Sequence, residues 1–146
     1  MVFLTDEYMS LKMGRNVKDL KTLWLSANQI ELIDVTAFCQ MINLQYLWLD
    51  SNHIESIEPE HFEHLKALKK LWLDLNNLHS IHPFSFARLK RLEELYLNSN
   101  QLKSLHPELF TKLKRLKTLN VSSNCIQTIY QSSLYELKSL KELHLN

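Results

Sequence analysis

Apolar residues recur along most of the chain with a fixed spacing of 24 residues. When the first leucine of each unit is counted as position 1, positions 1, 4 and 6 are apolar, and the residues between them are mostly polar or aromatic. The units begin at Leu20, Leu44, Leu68, Leu92, Leu116 and Leu140. Alternation at positions 4 and 6 predicts one short β-strand per unit, with one face buried and the other exposed.

The remainder of each unit repeats as well. Position 9 is an asparagine whose amide can hydrogen-bond the backbone of adjacent coils, and its members are Asn28, Asn52, Asn76, Asn100 and Asn124. Position 19 is an aromatic ring that we expect to fill the wide back of each coil, at Phe38, Phe62, Phe86 and Phe110. Proline at position 16 (Pro59, Pro83 and Pro107) predicts an irregular return segment with short helical turns.

This pattern resembles the leucine-rich repeat LxxLxLxxNxL over residues 20–146. The 24-residue unit with phenylalanine at position 19 is similar to the subclass in Toll-like receptor ectodomains, Slit, insect immune repeat proteins and variable lymphocyte receptors. The resemblance implies an α/β fold, a right-handed solenoid with a curved parallel sheet on its concave face. It also implies non-enzymatic protein recognition within an extracellular receptor or immune protein. The chain departs from that family in having no cysteine-rich caps.

Residues 1–19 fit the repeat poorly, because Asp6 would take a buried position and Gly14 the phenylalanine position. We therefore predict a degenerate N-terminal coil or cap over residues 1–19. Residues 20–146 would form five complete repeats and the strand of a sixth. The cap would be built on Leu4, Tyr8 and Leu11.

The last strand carries leucines at Leu140, Leu143 and Leu145, with no following coil in this sequence. An open strand edge can pair with another molecule. A structural or assembly module that forms homodimers through its open ends is therefore an alternative to partner recognition.

Positions 2, 3, 5, 7 and 8 point away from the core and would line the concave face. Position 5 collects all three tryptophans in one column, with neighbouring rings about 5 Å apart. Aromatic rings on a surface mark interfaces, and rings beside carboxylates suit a Lys or Arg side chain of a protein partner. The predicted partner-binding residues are Trp24, Tyr46, Trp48, Asp50, Trp72, Asp74 and Tyr96. Cross-strand packing alone is the alternative role of these rings.

Two further features of the sequence are a glycosylation sequon and a basic stripe. Asn120-Val121-Ser122 is an N-glycosylation sequon on the same side of the predicted sheet, so Asn120 is a possible glycosylation site. A basic stripe just before the strands includes Lys66, Lys90 and Lys114, with Arg88, Arg91, Lys112 and Arg115 nearby. Such a stripe could bind a sulfated glycan, which is the second alternative function.

Composition narrows the classes of function. The net charge of +1 provides no strong field for nucleic acid or membrane. Glycine-rich phosphate-binding, HExxH and GxSxG motifs are absent from the sequence, so we predict no enzyme, no cofactor and no metal site. No apolar run reaches the roughly 18–20 residues of a membrane span, and the first residues lack a signal peptide's basic start. An extracellular location therefore rests on the resemblance, and an intracellular one stays open.

Overall fold

The computed structural model describes the backbone of residues 2–4 and the chain from residue 17 to residue 146. Its strands are β1 (Val2–Leu4), β2 (Thr22–Trp24), β3 (Ile30–Ile33), β4 (Tyr46–Trp48), β5 (Ser56–Ile57), β6 (Lys70–Trp72), β7 (Ser80–Ile81), β8 (Glu94–Tyr96), β9 (Thr118–Asn120) and β10 (Glu142–His144). Helical structure is limited to 3-10 turns at Val17–Asp19 and Pro59–Phe62 and to the α-helix α1 at Gln131–Tyr135. The described chain is thus a solenoid of short strands and turns.

One strand of each coil joins a six-stranded sheet in the order β2, β4, β6, β8, β9, β10. Every pair in this sheet is parallel, and partners are one repeat apart, as in Leu23 with Leu47 and Leu47 with Leu71. The 24-residue unit therefore corresponds to one coil. The parallel sheet that the spacing predicted is confirmed.

The core runs along the inside of the coils. Leucines at positions 1, 4 and 6 of the second, third and fourth coils are buried, and Leu47, Leu71 and Leu95 are fully inaccessible. Phenylalanines at position 19 form a second buried ladder, in which ring centroids lie 6.2 Å apart between Phe38 and Phe62. Burying each such side chain contributes roughly 1.5–3 kcal/mol, so the stability of each coil depends on its neighbours.

The asparagine ladder joins the coils on one side of the core. Asn76 Nδ2 donates to the carbonyl of Leu49 on the preceding coil (2.9 Å) and to that of Leu73 in its own coil (3.1 Å). Its Oδ1 accepts from the backbone N–H of Ile54 (3.0 Å). Asn28 differs from the other members because it is exposed, although its Nδ2 donates to the position-7 carbonyl of Ser26 as theirs do to the carbonyls at that position.

The return segment contains regular pairing that the proline pattern did not predict. Strand β5 pairs in parallel with β7, β1 pairs in parallel with β3, and Ser104 bridges Thr128. The short 3-10 turn Pro59–Phe62 begins at a position-16 proline, as the restricted φ of proline allows. The predicted irregular convex side is therefore confirmed, with narrow two-stranded sheets added to it.

The two ends of the chain bear on two further predictions. The predicted cap residues Tyr8 and Leu11, with Asp6 and Gly14, lie outside the described residues, and the backbone of Leu4 lies in β1. At the other end, β10 pairs with β9, and Leu143 and Leu145 are 36% and 46% exposed. Among the described residues, no helix has the length and apolar character needed to cross a bilayer.

Candidate functional site

The concave face of the sheet carries a continuous column of stacked aromatic rings at position 5. Trp48 and Trp72 are nearly parallel, with ring centroids 4.2 Å apart and planes 7° apart. Trp72 stacks on Tyr96 at 5.5 Å, and Trp24 stacks on Trp48 at 5.2 Å. The column forms because parallel in-register strands place position 5 of each coil beside the same position of the next.

Stacking determines which ring surfaces a partner can reach. Trp24 is 68% exposed, whereas Trp48, Trp72 and Tyr96 are half-buried. The inner rings cover one another's faces, so a ligand approaching them meets ring edges, where the aromatic quadrupole is positive. A cation cannot sit between Trp48 and Trp72, and the carboxylates next to the column must provide its attraction.

Position 7 places two carboxylates alongside the column, in different environments. Asp50 Oδ1 accepts a hydrogen bond from the Ser26 hydroxyl on the preceding coil, at 2.6 Å. Asp74 Oδ1 is buried and has no hydrogen-bond partner among the described residues. A buried carboxylate oxygen without a donor costs free energy, and because Asp74 as a residue is only partly buried, a cation beside the carboxylate would offset that cost through its charge.

The electrostatics of Asp74 agree with this description. Burial raises the pKa of Asp74 above its ordinary value of 3.8, and repulsion by the Asp50 carboxylate adds to the rise. An approaching cation would relieve both effects, because it favours the ionised carboxylate. Asp74 is therefore the group on this face with the most to gain from a positively charged ligand.

The residue after Asp74 is an exposed leucine in an unusual conformation. Position 8 of five coils has positive φ, and it is a small residue in four of them: Ala27, Ser51, Ser99 and Ser123. Leu75 occupies this position in the third complete coil, with a φ of 54° and a side chain that is 55% exposed. The left-handed conformation is costly for a bulky residue, and such outliers concentrate at functional sites.

A second row of polar residues lies next to the column at position 3. Lys70 Nζ is 2.7 Å from Glu94 Oε1, and the Tyr96 hydroxyl donates to Glu94 Oε2 at 3.0 Å. Burial and the Glu94 carboxylate raise the pKa of Tyr96 to about 12, so its phenol stays neutral at physiological pH. Tyr46 stands in the same row, with its ring 6.2 Å from that of Trp48.

The structure brings the seven predicted partner-binding residues onto one surface, and their role in binding stays a prediction. Sequence analysis missed Lys70, Glu94 and Leu75. Opposite charges at position 3 of adjacent coils were a signal for the first two, and a leucine among small residues at position 8 was a signal for the third. Among the described residues, no group of three or more His, Cys, Asp or Glu side chains could hold a metal ion.

The possible glycosylation site Asn120 ends β9 and continues the position-5 column beyond Tyr96. Its Oδ1 accepts from the Ser122 hydroxyl at 2.7 Å and from the Ser122 N–H at 3.1 Å. A glycan on Asn120 would cover this end of the concave face, and its presence stays a prediction.

Two solved structures are similar to this chain. TLR13, in its complex with ssRNA13, is 38% identical in sequence to this chain, and the two structures superpose with a TM-score of 0.82. The match covers 87% of this chain and 19% of TLR13. The Drosophila Toll–Spatzle complex shares 27% identity with a TM-score of 0.83, over 86% of this chain and 17% of the matched one. This chain thus spans less than a fifth of either matched chain.

Comparison with curated proteins found no match. The family model described as "Leucine rich repeat" matches residues 42–102 and 90–146, which together cover more than half of the sequence. This match agrees with the repeat spacing, the parallel sheet and the asparagine ladder. The chain belongs to the leucine-rich repeat family.

Proposed function

We propose that these coils form the recognition surface of a larger extracellular or cell-surface receptor of the immune type. They bind a protein partner on the concave face and catalyse no reaction. The similarity to TLR13 and to Toll supports the receptor class, since those two structures are complexes with a single-stranded RNA and with Spatzle. The chemical character of the partner of this chain is inferred from the residues of its own concave face.

Asp74 is the observation that carries the proposal. Its buried Oδ1 lacks a donor, and it lies between a column of stacked rings and the exposed Leu75. A Lys or Arg side chain beside this partly buried carboxylate would stabilise its ionised form, while an adjacent apolar side chain of the partner would cover Leu75. We infer that the partner presents a cationic residue flanked by apolar residues.

A protein suits this face better than a nucleic acid does. Asp50, Asp74 and Glu94 all lie on the concave side, and their carboxylates repel phosphates. Bases need free aromatic faces for stacking, and the faces of Trp48 and Trp72 are occupied by each other. The rigid stacked platform also loses little conformational entropy when a partner binds.

Selection from a phage-displayed random peptide library tests this proposal. The wild-type protein is immobilised, and the affinities of enriched peptides are measured for Leu75→Ser, Asp74→Asn and Phe84→Ser. Phe84 is a matched control, because it is 50% exposed on the convex side. We expect enriched peptides to carry Lys or Arg beside apolar residues, and to lose at least about tenfold in affinity for the two concave variants. Peptides that lose affinity for Phe84→Ser alone would contradict the proposal.

Assembly through the open strand edge remains the alternative function. It is favoured by the exposure of Leu143 and Leu145 on β10. Light scattering over a wide concentration range distinguishes the two functions. Assembly predicts a dimer that forms as the protein concentration rises and that Leu143→Asp dissociates. Partner recognition predicts a monomer at every protein concentration, with the same affinity for the peptide throughout.

A further inference from the structure

We propose that a cationic groove on the convex flank binds a sulfated polysaccharide, at a site separate from the concave face. The groove consists of two adjoining depressions of about 420 and 330 Å³ that share Arg88 and Lys90 in their walls. Lys112 lines the larger depression, and Lys66 and Arg91 line the smaller one. Five cationic side chains therefore surround one continuous surface depression.

Among the described residues, these cations have no carboxylate within salt-bridge distance, unlike three lysines elsewhere on the surface. Lys70 pairs with Glu94, Lys114 with Glu136, and Lys117 with Glu93. Within residues 17–146, no such carboxylate contact involves the five groove cations.

Glu63 is the carboxylate that lines the larger depression, and its Oε1 lies 3.0 Å from His64 Nε2 rather than against a groove cation. Unpaired like charges this close together repel, and a bound polyanion would relieve that repulsion.

The arrangement of the charges fits a linear anion. Lys66 and Lys90 occupy the same position of adjacent coils, and so do Arg88 and Lys112. Adjacent coils are about 4.8 Å apart, so these charges form rows that run along the solenoid axis. A chain with regularly spaced sulfates can contact several of them at once, whereas a single small anion contacts one or two.

The same surface is poorly suited to single-stranded nucleic acid. Phe84 is the aromatic residue among the described residues that line the groove. One ring provides no platform on which successive bases could stack. The net charge of +1 also means that any retention on a polyanion must come from a local cluster rather than from the whole molecule.

Heparin affinity chromatography of the whole chain tests this inference. The variants are Arg88→Gln and Lys90→Gln in the groove, with Lys103→Gln as the control. Lys103 is an exposed lysine outside both depressions, so its substitution changes the net charge equally. Because all three side chains are exposed, the variants should stay folded, which circular dichroism checks.

We expect the wild type to elute from heparin at a salt concentration above about 0.15 M, the physiological ionic strength. Each groove variant should elute at clearly lower salt, Lys103→Gln should elute with the wild type, and desulfated heparin should retain none of them. Equal decreases in the eluting salt concentration for Lys90→Gln and Lys103→Gln would contradict the proposed binding site. Tighter binding of polyuridylate than of heparin, with its loss in Phe84→Ala, would assign the groove to RNA instead.

Discussion

Four of the position-9 asparagines, Asn52, Asn76, Asn100 and Asn124, join two coils through their side-chain amides. Asn76 satisfies carbonyls on two coils and one N–H with a single amide. No other side chain of this length offers two donors and an acceptor in this geometry. The ladder therefore depends on the amide itself and not merely on a polar side chain.

Replacing Asn76 with alanine should lower the free energy of unfolding by about 3 kcal/mol. The substitution removes the amide and leaves buried backbone groups of Leu49, Leu73 and Ile54 unsatisfied. Urea unfolding followed by circular dichroism measures the change. Asn28→Ala is the control. Because Asn28 is exposed, this substitution should lower the free energy of unfolding by less than about 1 kcal/mol. Equal losses for the two variants would contradict the role given to the ladder.

Asp74→Asn should stabilise the protein at neutral pH by up to about 1 kcal/mol while weakening partner binding. Burial and repulsion by Asp50 raise the pKa of Asp74 in the folded state, so its ionised form opposes folding. The gain should therefore be present above the raised pKa and disappear as the pH falls through the ordinary value of 3.8. Urea unfolding of both proteins from pH 3 to pH 7 measures it. A gain that does not change with pH would contradict this account.

The two carboxylates could be identified from the sequence, and so could part of the difference between them. Asp50 and Asp74 both occupy position 7, but the same position of the preceding coil is Ser26 for Asp50 and Asp50 for Asp74. Ser26 supplies a hydroxyl to Asp50, while Asp74 Oδ1 receives no donor from the described residues. The burial of Asp74 Oδ1 depends on side-chain geometry between coils, and a repeat alignment does not contain that information.

At the scale of elements, the aromatic column stabilises the sheet and also lines the proposed recognition surface. Trp48 has a stacked neighbour on each side, and each such contact contributes about 0.5–1.5 kcal/mol beyond its burial. Trp24 has one such neighbour among the described residues and is 68% exposed. The two alternatives left open by the sequence, packing and binding, are therefore compatible in one set of rings.

Trp48→Ala should lower the free energy of unfolding by about 1–3 kcal/mol, and Trp24→Ala by about half as much, because the former breaks two stacks and the latter one. Thermal unfolding of both variants measures the difference. A larger loss for Trp24→Ala than for Trp48→Ala would mean that the stacking does not stabilise the sheet.

Strand positions in the main sheet could be predicted because each has a buried face that repeats every 24 residues. The convex pairs β5–β7 and β1–β3 could not be predicted in this way. They contain few residues, and Ser56 and Ser80 carry no alternating apolar pattern that would mark a strand. They form because the main sheet already holds successive coils at strand-pairing distance.

At the scale of the whole molecule, a net charge of +1 conceals two surfaces of opposite character. Carboxylates of Asp50 and Asp74 flank the concave column, whereas Arg88 and Lys90 line the convex groove. The two proposals together predict that this chain binds a cationic protein surface on its concave face and a sulfated chain on its convex flank. The two sites lie on different faces, so variants of one should leave the other unchanged.

The most direct test of the central claim is a double-mutant cycle between Asp74 and the cationic residue of a selected peptide. Isothermal titration calorimetry gives the affinity of the wild type and of Asp74→Asn for the peptide and for its Lys-to-Gln or Arg-to-Gln variant. We predict a coupling free energy of at least about 1 kcal/mol, because the cation would stabilise the ionised form of the partly buried Asp74 carboxylate, whose Oδ1 has no donor among the described residues. Additive effects, with a coupling near zero, would show that Asp74 does not contact the partner's cation and would contradict the account.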